Sequence, residues 1–452
     1  MIFKRKIYKK LLEWKQNSAG TRALLIEGAR RIGKSTICHE FGKNEYHSML
    51  FIDFNIASDT VKNAFDRYLN DLDTFFMLLS AEYGVTLYER DSLIVFDEIQ
   101  QFPKARQAIK YLVADGRYDY VETGSLISIK ENVKDITLPS EEHRIYMYPM
   151  DFEEFGIAMG ENQMMDYIRS CFNKKKALEQ NLHHKAMLLF RQYMIVGGMP
   201  KSVSAYIEND RSFEKSDIEK RDILNLYRND IMKINAPFRA AVLTIFDQIP
   251  AFLSRSEKRV VLSKIEKGSS YPKYHETFFW LADSMMVNEC FNCTDPNVGL
   301  SLNEERTYIK CYMGDTGLLL SHTFDENEIA DNELYKELLT GKLSVNEGMF
   351  YENAIAQMLV ASGHKLYFYT RYNNEKHRND IEIDFIISNA SKLKYKIFPI
   401  EVKSKDKYQT TSLDRFDQLF HKRIGFNIII HPKNLTFSGS TLAIPAYMTF
   451  CL

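Results

Sequence analysis

The sequence predicts an α/β fold built from more than one domain, and three observations support this. The chain has 452 residues, enough for two to four domains of about 100–200 residues each. In its first third, short apolar runs alternate with helical stretches, a pattern typical of parallel strands connected by helices. A second alternation of this kind begins after residue 345, so we expect a second α/β unit there.

Four apolar runs are predicted to form the first sheet. Each has four to six residues, and none contains proline. Such runs are expected where helices cover both faces of a parallel sheet. The predicted strands are residues 23–26, 49–54, 93–96 and 118–121.

The rest of the chain is predicted to contain helices, a wing and the second sheet. Residues 151–233 show helical spacing with few strand signals. The strand-like segments 287–293 and 307–312 are expected to form the two strands of a wing. A polar, acidic linker at 321–333 is predicted to lead into the second α/β unit. The predicted helix and strands of that unit are residues 345–361, 365–370, 381–387 and 396–402.

The composition excludes several classes of protein. Apolar residues make up 45% and charged residues 26% of the chain, as in globular rather than disordered proteins. The net charge of −1 excludes a uniformly basic nucleic-acid-binding surface but leaves a local basic patch open. The six cysteines are scattered, which does not suggest a disulfide framework. No apolar run reaches the roughly 18 residues of a membrane span, so we expect no membrane association and a cytoplasmic location.

A glycine-rich segment fits the phosphate-binding pattern G-x-x-x-x-G-K-[ST] at every fixed position. It follows a predicted strand and precedes a predicted helix, which is the context that the motif requires. Backbone amides of such a loop point at phosphate oxygens, the lysine reaches the β- and γ-phosphates, and the serine hydroxyl binds Mg²⁺. A chance glycine-rich turn is the alternative. The sequence therefore predicts an ATP and Mg²⁺ site formed by Gly28, Ala29, Arg30, Arg31, Ile32, Gly33, Lys34, Ser35 and Thr36.

Two adjacent carboxylates, Asp97 and Glu98, follow the apolar strand 93–96. We expect Asp97 to hold Mg²⁺ through its water shell and Glu98 to act as general base for the attacking water. The alternative is a solvated acidic turn at the end of a strand. The phosphate loop upstream favours the catalytic interpretation.

An additional strand is expected between the phosphate-loop strand and the acidic strand, and residues 49–54 fit that position. The next strand ends in Thr123-Gly124-Ser125. Ser125 is predicted to orient the water and to sense the γ-phosphate. The alternative is a serine that caps a helix, since serine favours helix starts.

Taken in order, several segments resemble a family of bacterial and archaeal AAA-type ATPases with an AAA_14-like ATPase domain and a C-terminal DUF4143 domain. The resemblance covers nearly the whole chain. It implies a P-loop ATPase core (1–155), a helical lid (156–235), a winged-helix-like part (236–325) and a restriction-endonuclease-like domain (326–452). The segments that carry the resemblance are 28–36, 97–100, 123–125, 197–200, 315–319, 351–353 and 401–403.

The resemblance also implies roles for Arg144 and Pro200. Arg144 corresponds to an arginine that completes the site of a neighbouring subunit, which implies a homo-oligomer and charge stabilisation in trans. A surface arginine is the alternative. Pro200, in Gly-Gly-Met-Pro at 197–200, is similar to a turn that contacts nucleotide in related signalling ATPases. A plain helix break is the alternative.

Four residues near the C-terminus, Glu352, Asp384, Glu401 and Lys403, are the candidates for a nuclease-like site. Side chains alternate along a strand, so Glu401 and Lys403 share a face. Converging carboxylates can bind Mg²⁺, with Glu352 adding a ligand and Lys403 helping to activate water. The alternative is the ordinary polar face of a half-exposed strand. Because fold does not imply function, nuclease activity is left open.

Basic residues cluster in the same region, and a DNA backbone is a possible partner for them. Solvated loops are the alternative. Two functions follow: an ATP-driven machine that acts with DNA, or an ATP-controlled protein-interaction switch with an inactive C-terminal domain. The basic residues are Lys392, Lys394, Lys396, Lys403, Lys405, Lys407, His421, Lys422 and Arg423.

Overall fold

The computed structural model shows two compact units. One unit comprises residues 1–148 and 283–285, and the other comprises 149–282 and 286–452. The residues that the structure describes are 1–125, 139–236, 238–255, 257–260, 271–325, 332–340, 347–373, 375, 377–388 and 396–452.

The first unit contains a parallel sheet, as predicted. In the described part of this unit, five strands run parallel in the order β2-β3-β4-β1-β5. Helices α1 (Ile7–Asn17), α2 (Lys34–Glu45), α3 (Asp59–Arg67), α4 (Leu72–Tyr83) and α5 (Pro103–Asp115) connect or flank them. The strands are β1 (Ala23–Glu27), β2 (Ser48–Asp53), β3 (Ser92–Asp97), β4 (Asp119–Gly124) and β5 (Glu142–Tyr146).

The central strands are buried over their whole length. Every residue of β1, β3 and β4 is buried, and each fully buried leucine or isoleucine contributes about 1.5–3 kcal/mol. On one side of the sheet, the ring of Phe65 lies 5.0 Å from that of Phe75 and 5.7 Å from that of Phe96, measured between centroids. This packing fixes β3, so the carboxylates at its end have a rigid support.

The position of β2 differs from the prediction. The strand that lies between β1 and β3 is β4, because β4 pairs with both of them. β2 pairs with β3 and stands at the end of the strand order. The sequence order of the strands does not give their spatial order, since each crossover helix can pass over a neighbouring strand.

The second unit begins with helices. The described helices before its sheet are α6 (Phe152–Ala158), α7 (Asn162–Asn173), α8 (Gln180–Val196), α9 (Pro200–Glu208), α10 (Phe213–Met232), α11 (Phe238–Leu253) and α12 (Tyr271–Asp283). α6 starts with a capping box, in which the Asp151 side chain accepts from the Glu154 amide at 2.9 Å and Glu154 accepts from the Asp151 amide. Such reciprocal bonds satisfy two free N–H groups at a helix start.

A mixed sheet forms the rest of the second unit. In its described part, eight strands follow the order β12-β13-β11-β10-β9-β8-β6-β7, and α13 (Thr316–Thr323), α14 (Asn332–Thr340), α15 (Glu347–Ala361) and α16 (Thr411–Phe420) accompany them. The strands are β6 (Val287–Cys293), β7 (Glu304–Met313), β8 (Leu366–Asn373), β9 (Arg378–Ser388), β10 (Ile397–Val402), β11 (Asn427–His431), β12 (Thr436–Ser438) and β13 (Thr441–Pro445).

The two strands predicted as a wing belong to this sheet. β6 and β7 pair antiparallel, and β6 also pairs parallel with β8. The pair therefore extends the C-terminal sheet instead of forming a separate wing. The predicted linker is also partly helical, since Ser321 to Thr323 complete α13; residues 326–331 lie outside the described residues.

None of the helices in the described part of the chain combines the length and the apolarity that crossing a bilayer requires.

Candidate nucleotide site

The loop between β1 and α2 is shaped by its two glycines. Gly33 has a φ of 94°, a left-handed conformation that favours glycine. A Cβ atom on Gly28 would lie 2.5 Å from the carbonyl oxygen of Met147, so a larger residue does not fit. Arg31 also has positive φ, 66°. This backbone forms the curl that the phosphate-binding motif requires.

The remaining loop residues differ in exposure. Ala29 and Ile32 are buried, and Arg30 is half-buried. Arg31 and Thr36 are exposed, the latter in the first turn of α2. The N-terminus of α2 thus follows directly on the loop, and its free amides and dipole favour an anion.

Lys34 is folded into the loop. Its Nζ donates to the carbonyl oxygens of Gly28 and Ala29, both at 2.9 Å. Burial lowers the pKa of Lys34, and the carboxylates of Glu98 and Asp97 oppose this effect. An ammonium has three donors, so this one can exchange its carbonyl partners for phosphate oxygens.

Ser35 and Asp97, predicted as metal-site residues, lie together. The Ser35 hydroxyl is 2.9 Å from each Asp97 carboxylate oxygen. Thr123, at the end of β4, donates its hydroxyl to Asp97 Oδ1. The hydroxyl and carboxylate are the oxygen ligands that Mg²⁺ prefers, so these residues fit the predicted ion.

Glu98 has an unusual backbone conformation, with φ of 54°. Residues held in such regions cost about 1–3 kcal/mol and cluster at functional sites. The Glu98 amide donates to Thr123 Oγ1 at 3.3 Å, and the Glu98 carboxylate accepts from Gln100 Nε2. The surrounding side chains therefore fix both the backbone and the carboxylate of Glu98.

Thr123 and Gln100 are the residues that the sequence interpretation missed. Both belong to segments that carry the family resemblance, but the sequence predicts Ser125 as the functional hydroxyl at the end of β4. In the structure, the hydroxyl from the end of β4 that donates to Asp97 belongs to Thr123. Ser125 lies one residue beyond β4 and is half-buried, and its predicted role remains a prediction.

Arg144 lies on β5 next to two carboxylates of its own unit. Its guanidinium is 4.0 Å from Glu27 Oε1 and 3.7 Å from Glu142 Oε2, and its side chain is 39% exposed. Burial raises the pKa of Glu27, and Arg144 counteracts the rise. Arg106 holds Glu142 by two bonds of 2.7 Å. Arg144 and Arg106 both lie beside Glu142, and Arg144 is the more accessible of these two arginines.

The turn that contains Pro200 packs against another segment of the second unit. The Gly198 amide donates to Asp315 Oδ2 at 2.5 Å, and the Leu318 amide donates to Asp315 Oδ1 at 3.0 Å. Gln357 donates to Asp315 Oδ2 at 3.0 Å. Pro200 is the first residue of α9. The turn therefore has a structural role as a docking point for α13, and nucleotide contact by Pro200 remains a prediction.

The C-terminal candidates lie in the second unit. Glu352 on α15 accepts from Lys258 and Tyr312, and Asp384 Oδ2 accepts from the Val402 amide at 2.8 Å. Glu401 Oε1 is 3.1 Å from Lys403 Nζ. Burial, which Lys403 opposes, raises the pKa of Glu401 to about 7. Within the described ranges, no three acidic, histidine or cysteine side chains form a group able to hold a metal.

The β1 strand, the curled loop, α2 and the Ser35–Asp97 pair together define a P-loop nucleotide-binding site. The comparisons with known families agree with this class. Residues 20–156 match the AAA domain AAA_14, 187–328 match a domain of unknown function (DUF8612), and 347–448 match another (DUF4143). The predicted AAA and DUF4143 domains are thereby confirmed. A comparison with curated protein sequences finds no match.

Three solved structures illustrate the similarity to known folds. A Walker-type ATPase of Pyrococcus abyssi is 15% identical, with 71% of this chain and 96% of that chain covered and a TM-score of 0.42. Cdc6p of Pyrobaculum aerophilum is 12% identical, covering 74% and 92%, with a TM-score of 0.26. AMPPCP-bound DnaA of Aquifex aeolicus is 11% identical, covering 62% and 77%, with a TM-score of 0.23.

Replacing Lys34 by alanine is expected to abolish ATP binding, because its buried ammonium is bonded to the loop carbonyl oxygens that phosphate oxygens would replace. A ligand at 100 times its Kd raises the free energy of unfolding by about 2.7 kcal/mol. We expect the wild type to show such an ATP-dependent rise in Tm and Lys34→Ala to show none. Lys43→Ala, at an exposed position of α2, is the matched control. Unchanged ATP affinity in Lys34→Ala would contradict the assignment.

Replacing Asp315 by alanine is expected to lower the free energy of unfolding by about 3 kcal/mol, because it leaves buried donors of Gly198, Leu318 and Gln357 without their acceptor. Urea unfolding monitored by circular dichroism measures this. Asp222→Ala, at an exposed position of α10, serves as control. A loss no larger than that of the control would show that the Asp315 network is unimportant.

Proposed function

We propose that the protein is a Mg²⁺-dependent ATP hydrolase whose nucleotide state switches its contacts with a partner. The observation that carries this proposal is the meeting of Lys34, Ser35, Asp97 and Glu98 at one edge of the sheet. The match of residues 20–156 to an AAA domain supports it. Catalysis of phosphoryl transfer consists mainly of positioning and electrostatic stabilisation, and these residues supply both.

Each residue has a separate task in this reaction. Lys34 and the loop amides bind the phosphates, while Ser35 and Asp97 would hold Mg²⁺, which neutralises charge on the β- and γ-phosphates when bound. Glu98 accepts a proton from the water that attacks the γ-phosphorus, and ADP leaves. The Gln100 side-chain amide donates to the Glu98 carboxylate and so holds the base in one orientation.

Replacing Glu98 by glutamine is expected to preserve ATP binding and to lower kcat by at least about 100-fold, the usual contribution of a general base. Phosphate release measures turnover, and the ATP-dependent rise in Tm measures binding. Glu89→Gln, at an exposed position ahead of β3, should behave as the wild type. Hydrolysis by Glu98→Gln at the wild-type rate would refute the assignment of the base.

We also infer that the active form is a homo-oligomer in which Arg144 acts on the site of a neighbouring copy. Its partly exposed guanidinium lies 3.7 and 4.0 Å from its carboxylates, so hydrogen-bonding capacity remains for a phosphate. An arginine supplied in trans accelerates hydrolysis by about 10³–10⁵-fold in related reactions.

A mixing experiment tests the action of Arg144 in trans. Arg144→Ala and Lys34→Ala are each expected to be inactive, because the first lacks the arginine and the second cannot bind ATP. Mixed, they should regain part of the activity, since an Arg144→Ala site can receive Arg144 from a Lys34→Ala neighbour. Size-exclusion chromatography with ATP reports assembly. Assembled mixtures without recovery would exclude the role in trans.

The partner is proposed to be DNA or a protein, with different observations behind each. Lys405 and Lys407 are exposed and suit a phosphate backbone, whereas Arg423 is engaged by Asp295; Lys392 and Lys394 lie outside the described residues. Lys258 and Lys403 pair with the C-terminal carboxylates Glu352 and Glu401. Because these carboxylates are already paired with cations, they favour an inactive C-terminal domain and hence the protein-interaction switch. Duplex DNA that stimulates ATP hydrolysis, more strongly at low salt, would select DNA.

A further inference from the structure

A buried lysine, Lys310, lies among three carboxylates of the second unit. Its Nζ is 3.5 Å from Glu382 Oε1, 3.7 Å from Glu352 Oε1 and 3.9 Å from Asp384 Oδ1. The Lys310 side chain is 1% exposed. We call Lys310 and these three carboxylates the carboxylate pocket. The ammonium occupies the position between acidic oxygens where a cation is electrostatically most favourable.

Two carboxylates of the pocket, Glu352 and Asp384, make further bonds within the chain. Glu352 accepts from Lys258 and from the Tyr312 hydroxyl, and Tyr312 stands two residues from Lys310 on β7, hence on the same face. Asp384 Oδ2 accepts from the Val402 amide at 2.8 Å. Two of the carboxylates that would have to ligate a metal, Glu352 and Asp384, are therefore already bonded within the chain.

Lys310 and Glu352 favour each other's charged forms, whereas burial raises the pKa of Glu382 and that of Asp384. Burial disfavours the charged form of Lys310, but Glu352, Glu382 and Asp384 overcome this and raise its pKa. Burial also disfavours ionised Glu352, yet the Lys258 and Lys310 ammonium groups lower its pKa to about 2.

We propose that Lys310 is the resident cation of the carboxylate pocket and that the pocket therefore binds no divalent metal. The restriction-endonuclease-like resemblance implies Mg²⁺ on Glu352, Asp384 and Glu401, and the residues present do not fit that ion. A divalent ion would have to displace a tethered, buried ammonium and lie beside Lys258 as well. The second unit then does not cleave phosphodiesters by metal-dependent hydrolysis, and this inference goes beyond the proposed ATPase function of the first unit.

Metal binding by the full chain tests this proposal. The Asp97→Asn background removes the carboxylate ligand of the nucleotide site. Electron paramagnetic resonance, recorded without nucleotide, measures free Mn²⁺, and the decrease in that signal gives the number of bound ions. We expect no bound Mn²⁺ in this background. Adding Lys310→Met removes the ammonium that stands between the three carboxylates, so that they can close on an ion. This variant should therefore gain one Mn²⁺ site, and further adding Asp384→Asn should remove it. Lys310→Arg, which keeps a cation in place, should bind no Mn²⁺.

Two results would overturn the proposal. The first is one Mn²⁺ bound by the Asp97→Asn protein that is lost when Asp384→Asn is added, because the pocket would then hold a metal despite Lys310. The second is a folded Lys310→Met variant that binds no Mn²⁺, because the lysine would then not be what excludes the ion. If Lys310→Met does not fold, the comparison of Asp97→Asn with and without Asp384→Asn still decides whether the native pocket holds a metal.

Cleavage of plasmid DNA gives an independent readout. We expect no Mg²⁺- or Mn²⁺-dependent nicking by the wild-type chain with or without ATP. Nicking that Glu401→Gln abolishes, while the exposed-position variant Glu89→Gln leaves it unchanged, would overturn the inference. Because this assay measures cleavage of DNA and not release of phosphate, its result is separable from the outcome of the ATPase experiments.

Discussion

The contact on which the candidate nucleotide site depends is the three-way bond among Ser35, Asp97 and Thr123. Asp97 accepts from the hydroxyls of both residues, so one buried carboxylate joins the first turn of α2 to the ends of β3 and β4. The carboxyl ends of parallel strands meet at one edge of a sheet, which is where ligands bind in open α/β folds. The sheet places the loop after β1 and the end of β3 at one edge, and this junction fixes the Ser35 hydroxyl against the Asp97 carboxylate there.

Much of this site was predictable because its determinants are local in sequence. Two glycines, a lysine and a serine at fixed spacing specify a curled loop before a helix, and the structure shows the positive φ of Gly33 as such a loop requires. Asp97 and Glu98 were also predictable, since an apolar run that ends in carboxylates predicts a buried strand whose polar end reaches the sheet edge. The parallel sheet itself followed from short, fully apolar runs.

The parts that sequence reasoning missed depend on contacts between distant segments. Whether β2 or β4 lies beside β1 depends on the path of the helical connections between the strands. The sequences of the strands do not indicate that path. β6 and β7 looked like a wing because a hairpin has the same local pattern wherever it docks, and only the pairing of β6 with β8 assigns it to the larger sheet. Lys310 gave no signal, because a lysine in a strand ordinarily predicts an exposed position.

Lys34 and Lys310, two of the lysines buried in the described part of the chain, show how the same side chain can either receive a ligand or exclude one. Lys34 is bonded to two neutral carbonyl oxygens, and burial lowers its pKa, so an anionic phosphate gains charge compensation by replacing those carbonyls. Lys310 is surrounded by carboxylates that raise its pKa, so its charge is already compensated. A metal ion that enters the carboxylate pocket would be repelled by the Lys310 ammonium, which is covalently attached to the chain. The first environment therefore favours an anionic ligand, whereas the second disfavours a metal ion.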